Sequence, residues 1–172
     1  MKLAPIVSAL AALLLAACQQ QPKPAEEKST ASASASSQEA KGPNAKPGLQ
    51  LEGGRLVLPA VKGNPGVAYF MLDNSSSATV QLASISINGS EKSQMHQTVE
   101  DTMTTVDSVE IAPGTSIAFE PGSLHVMVFN LAPRLQAGGT TEMTLTFGDG
   151  DKLSAPLKIE APGSGSHQGA MH

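Results

Sequence analysis

The stretch Thr79-Val80-Gln81-Leu82-Ala83-Ser84-Ile85-Ser86-Ile87-Asn88-Gly89 alternates along its length and ends in a turn pair. Successive side chains of a strand point to opposite faces. Val80, Leu82, Ser84 and Ser86 therefore share one side, and Gln81, Ala83, Ile85 and Ile87 the other. Asn88-Gly89 is a strong turn signal. Outward from this run, strands are predicted at Arg55–Ala60, Gly66–Leu72, Thr104–Ile111, Ser116–Glu120, Leu124–Leu131, Thr140–Phe147 and Lys152–Ile159. Asp73-Asn74-Ser75-Ser76, Pro113-Gly114, Pro121-Gly122 and Gly148-Asp149-Gly150 punctuate them. No window of ten or more residues carries a helical period. Short strands at this spacing predict an all-β domain, an antiparallel sandwich or barrel, over 51–161.

The two ends of the chain differ from this middle. Lys2 precedes an apolar run from Ile6 to Ala17 that only Ser8 interrupts. A membrane-spanning helix needs about 20 apolar residues, so residues 1–17 read as a signal peptide. The run ends in Leu15-Ala16-Ala17-Cys18, which resembles a bacterial lipobox, with Cys18 as the lipidated first residue of the mature chain. By resemblance to Gram-negative lipoproteins, Gln19 favours the outer membrane and places the domain in the periplasm or cell envelope. Residues 18–50 are dominated by Gln, Pro, Lys, Glu, Ala and Ser, with Leu49 their one large apolar residue beyond the cysteine. Such a segment cannot bury enough surface to offset its ordering entropy, and it reads as a tether. Residues 162–172 read as a flexible tail carrying His167, Met171 and His172.

Charge and thiol content narrow the function. The formal net charge is −4, against the basic stripe that a nucleic-acid partner needs. Cys18 is the single cysteine, so the β-domain holds no disulfide, zinc ribbon or thiolate nucleophile. It lacks a Gly-x-Ser-x-Gly elbow and a phosphate-cradling loop ahead of a helix, so a binding role is expected and not an enzyme.

All four histidines, His96, His125, His167 and His172, have methionines nearby, among them Met95, Met103, Met127 and Met171. Imidazole suits several transition metals, but thioether selects soft ions, above all Cu(I). Zinc normally recruits Cys or carboxylate beside its histidines, and calcium and magnesium take oxygen. On a strand, His125 and Met127 of His125-Val126-Met127 project side by side. Pro121-Gly122 places that pair at a strand start, and His96 and Met103, expected on the preceding loop, could fold over to complete four ligands. Met71 and Met143 lie within strand candidates and are expected in the core.

Met95-His96, Met103 and the run Pro121-Gly122-Ser123-Leu124-His125-Val126-Met127 resemble the PCu(A)C periplasmic copper-chaperone family. That family's pattern is a His, a Met, 21 residues, then His-x-Met, and 21 residues separate Met103 from His125 here. Ile111-Ala112-Pro113-Gly114, Phe119-Glu120-Pro121-Gly122 and Gly66-Val67-Ala68-Tyr69-Phe70 also resemble its strands. One spacing departs: six residues lie between His96 and Met103, where the family has about ten, and Met95 could assist or replace His96. The resemblance implies a cupredoxin-like, Greek-key β-sandwich holding Cu(I) through His96, Met103, His125 and Met127. It further implies a monomer that delivers copper to the copper-bearing subunit of cytochrome c oxidase or to another copper chaperone. A periplasmic copper buffer without a dedicated acceptor is the alternative. His167, Met171 and His172 could form a second metal site, whose imidazoles would favour Cu(II), or an arm that closes over the first.

Overall fold

The structure is a computed structural model that describes residues 46–164. The signal segment, Cys18 and the tail residues His167, Met171 and His172 lie outside the described residues. Ten strands account for the fold: β1 (Leu49–Val57), β2 (Gly66–Asn74), β3 (Val80–Ile87), β4 (Lys92–Val99), β5 (Thr102–Val106), β6 (Val109–Ile111), β7 (Thr115–Phe119), β8 (Leu124–Phe129), β9 (Thr140–Phe147) and β10 (Lys152–Glu160). No α-helix occurs among the described residues. The ladder runs β5-β4-β8-β2-β1-β10-β9-β3-β6, with β7 also on β2. Its pairings are antiparallel except β1–β10, where the first and last strands run parallel.

The inward side chains of these strands form one core, with Leu56, Leu72, Leu82, Val126, Met143, Leu145, Leu153 and Leu157 wholly buried. The few aromatics are concentrated: Phe70 and Phe119, paired across β2 and β7, stack with ring centroids 4.2 Å apart. The alternation read in β3 breaks midway. A register shift between Leu82 and Ser84 against β9 inserts one residue, so Val80 and Leu82 and then Ile85 and Ile87 all turn inward. Such a bulge lets a run with mismatched parity bury both of its apolar halves.

Other differences from the sequence reading have similar local causes. β1 begins at Leu49, six residues before the predicted strand, and Leu49 is buried. A bulge at Gly53-Gly54 interrupts the apolar rhythm and hid this start. A Cβ on Gly54 would lie 2.9 Å from a Leu157 methyl, so the bulge needs glycine there. β4 falls where no strand was predicted, and Thr104–Ile111 is two strands, β5 and β6, separated at Asp107-Ser108. Met143 is in the core as expected, but Met71 points outward from β2 and is 42% exposed.

Asn74, read as part of a turn, is the last residue of β2 and is buried. Its amide nitrogen lies within hydrogen-bonding distance of the carbonyls of Ala78 (2.9 Å), Ile111 (3.0 Å) and Ala112 (3.2 Å). Its side-chain oxygen accepts from the Ser76 amide and hydroxyl. It thereby ties the β2–β3 turn to the end of β6. Asn74→Ala is expected to cost about 1–3 kcal/mol in urea unfolding, because buried carbonyls lose their donor. Asn74→Asp should cost more, since it turns a carboxylate toward the same carbonyls.

Candidate metal centre

The site begins with a break in one strand. β7 pairs with β2 from Thr115↔Asn74 to Phe119↔Phe70, and β8 resumes on the same strand at Val126↔Ala68. Tyr69 alone on β2 thus faces the six residues Glu120–His125. Glu120-Pro121-Gly122-Ser123 closes as a turn, the Ser123 amide donating to the Glu120 carbonyl at 3.2 Å. Proline presets the second turn position and Gly122, at φ 78°, takes the left-handed third position. The Glu120 amide donates back to Leu124 at 2.6 Å, and the Thr98 amide on β4 donates to Ser123 at 3.2 Å. The excursion is therefore closed on itself and attached to β4, and it ends on His125.

β4 and β5 form a hairpin whose two-residue turn, Glu100-Asp101, has both φ values positive (47° and 63°). His96 and Met103 lie on its two strands, not on a loop. Register then decides the faces. His96 pairs with His125 and with Thr105, Gln94 pairs with Met127, and Thr98 pairs with Met103. By the two-residue period, His96, Met103, His125 and Met127 all project from the outer face of the sheet. Leu124, Val126 and Val128 take the core face of β8. Met95 pairs with Val126, is 4% exposed and belongs to the core, which removes it as a substitute for His96.

The two imidazoles differ. His125 is 5% exposed, and its Nδ1 lies 2.9 Å from the Ser123 carbonyl. A carbonyl only accepts, so Nδ1 carries the proton and Nε2 keeps the free lone pair. His96 stands with its ring centroid 6.0 Å from that of His125. Both His96 ring nitrogens are buried and have no hydrogen-bond partner. Buried polar atoms are nearly always satisfied, and an orphaned imidazole beside a second one with a free lone pair fits a metal ligand. Burial, then His125 and Lys92, push the His96 pKa below its ordinary value of 6.5. A neutral imidazole is the form that donates to a metal.

Met127 is half-buried beside His125, while Met103 is 52% exposed near the hairpin tip. Among the described residues no three His, Cys, Asp or Glu side chains cluster as a metal site. The further soft donors on this sheet face are the thioethers of Met127 and Met103. Sequence reasoning did not assign Tyr69 to the site. Tyr69 shares the outer face of β2 with Val67, the partner of Met127, and its ring lies under the Arg55 guanidinium at 5.0 Å, with Glu160 3.9 Å from Arg55. The signal was the strand break itself, visible only once β7 and β8 are both placed on β2.

Comparison with known proteins agrees with this architecture. The family model described as "Putative lipoprotein LpqE-like" matches residues 49–159. A Rickettsia prowazekii (strain Madrid E) protein, RP573, whose name assigns no role, is 28% identical over 122 residues, covering 68% of this chain. The chain spans 63% of that relative's length. A Leifsonia xyli subsp. xyli protein named as a lipoprotein, Lxx21020, is also 28% identical over 122 residues, covering 65% of this chain and 74% of its own. Among solved structures, the copper-bound PCuAC domain from PmoF2 superposes with a TM-score of 0.58 at 21% identity, covering 67% of this chain and 94% of that domain. The Cu(I) form of DR1885 from Deinococcus radiodurans gives 0.56 at 23% identity, covering 72% and 85%. The fold is that of the PCuAC domains, as the sequence resemblance implied.

The lowered pKa of His96 has a consequence for the metal-free protein. The unfolded chain takes up a proton near pH 6.5 while the folded chain resists it, so stability should fall as pH drops through and below that value. Thermal unfolding between pH 8 and 5 measures this. His96→Gln, which cannot titrate, should flatten the part of the slope around pH 6.5.

Proposed function

The chain belongs to the LpqE-like lipoprotein family, and from that footing we propose that it captures Cu(I) outside the cytoplasm and hands it on. The observation that carries this reading is His96, with two buried, unpartnered ring nitrogens facing His125 on a sheet face that also bears Met127 and Met103. Two imidazoles and two thioethers are neutral donors, suited to a soft monovalent ion. His125 and Met127 form the fixed side, held by the closed excursion and the ladder. Met103, half-exposed on the edge hairpin, forms the mobile side. It is the ligand that an incoming donor can displace first, so release proceeds by stepwise exchange and needs no free ion. The copper is cargo in this scheme, and no catalytic step is involved.

The acceptor, by resemblance to the PCu(A)C family, is the copper-bearing subunit of cytochrome c oxidase or another copper chaperone. Cys18 as a lipid anchor and the tether read over residues 18–50, ending where β1 begins at Leu49, would hold a monomeric domain at the envelope, with the outer membrane favoured by Gln19. His167, Met171 and His172 would give a second site, richer in imidazole and more suited to Cu(II). Mixing the copper-loaded protein with a copper-free oxidase subunit domain separates delivery from buffering: lack of transfer down a known affinity gradient would favour the buffer.

The chain supplies its own reporter. Tyr69 is the one tyrosine and tryptophan is absent, so ultraviolet emission arises on the strand face next to Met127 and its neighbours. Cu(I) added under reducing conditions should quench this emission, saturating at one ion in a chain lacking residues 163–172 and binding a second ion in the full chain. The double variant His125→Ala, Met127→Ala should weaken binding by more than about 100-fold, the upper range for loss of outer-shell partners alone. Equal, weak binding by both proteins would remove the proposal.

A further inference from the structure

At the far end of β8 from the Pro121-Gly122 turn, three connections surround a cavity of about 1190 Å3. They are the β1–β2 segment, the β3–β4 turn and the β8–β9 segment. Leu58, Leu131 and Leu135 give it aliphatic walls without an aromatic ring, and Lys62 and Arg134 lie at its rim. Arg134 is held in place. Its Nη2 donates to Asn88 Oδ1 at 2.8 Å, and it packs so closely on Gly89 that a Cβ there would sit 3.1 Å from it. Asn88-Gly89 is a turn between β3 and β4, two strands that do not pair with each other, and Gly89, at φ 90°, also lets the guanidinium lie across that turn.

The charges are uneven. Glu91, the acid in the cavity lining, accepts from the Asn130 amide at 2.7 Å, and Asn130 takes a left-handed φ of 53°. Neither Lys62 nor Arg134 has a carboxylate partner among the described residues. Most of an arginine's five N–H groups therefore remain available in a fixed fork suited to a carboxylate. Six of the lining amides are committed to turns and neighbouring strands. Leu58 donates to Glu160, Asn64 to Val61, Ser90 to Ile87, Glu91 to Phe129, Ala132 to Gly89 and Leu135 to Ala132.

We propose that this cavity binds a small anionic amphiphile, an aliphatic chain ending in a carboxylate. The chain lies against Leu58, Leu131 and Leu135, and the carboxylate meets Arg134 and Lys62. Pockets of this kind combine apolar walls with a few placed polar groups that set orientation. The inference is independent of the metal reading, because the cavity shares no residue with the four ligands.

Calorimetric titration of the full chain with decanoate, below its micelle concentration, tests it against decylamine, which has the same tail and the opposite charge. Decanoate should bind at least about tenfold more tightly than decylamine. The double variant Lys62→Gln, Arg134→Gln should lose that preference while keeping its thermal unfolding midpoint. Leu131→Asn should weaken both ligands. Absent decanoate binding, equal binding of the two amphiphiles, or a double variant that still prefers decanoate would each overturn the proposal.

Discussion

The site depends on a mismatch in length. One residue of β2, Tyr69, faces six residues of the neighbouring chain, and the surplus must leave the sheet. Pro121 and Gly122 make the excursion compact, and its last carbonyl before Leu124, that of Ser123, receives both the Thr98 amide and the His125 ring. One carbonyl thus joins the excursion to β4 and selects the tautomer of His125. Without the excursion, β7 and β8 would run on as one ladder strand. His125 would then lack the carbonyl that orients it. Bulges of this sort re-aim side chains, and here the result is a buried imidazole turned to the outer side of the sheet, across from His96.

The register of β4 does the rest. Because His96 stands directly across from His125, the two rings approach without either strand leaving the ladder. A one-residue slip of β4 would turn His96 inward and Met95 outward. The buried Met95, opposite Val126 in the core, opposes that slip. The core methionine therefore supports the site by locking the parity of its neighbour. This division of labour between adjacent residues explains why Met95-His96 reads ambiguously in one dimension and resolves once the strand is paired.

Much of the architecture was legible because it rests on alternation and turn chemistry. β2, β3, β7, β8, β9 and β10 follow from apolar rhythm and from Pro-Gly or Asn-Gly punctuation. β4 did not, because Lys92-Ser93-Gln94-Met95-His96-Gln97 carries a single apolar residue and turns polar side chains outward on a sheet margin. Its partner β5, Thr102-Met103-Thr104-Thr105-Val106, was blurred for the same reason. Met71 was misplaced because β2 is apolar on both faces, which periodicity cannot divide into inside and outside. The His125-Val126-Met127 pair was readable from the strand period alone. The inclusion of His96 and Met103 on the same face came from pairing, and the spacing between them reflects a hairpin with a two-residue turn.

X-ray absorption at the copper edge of the Cu(I)-loaded domain addresses the central claim most directly, since it counts nitrogen and sulfur neighbours without relying on function. The account predicts a mixed shell of imidazole nitrogen and thioether sulfur, with sulfur scattering reduced in Met103→Ala and again in the Met103→Ala, Met127→Ala double variant. A shell of light atoms only, or one unchanged by those substitutions, would contradict it.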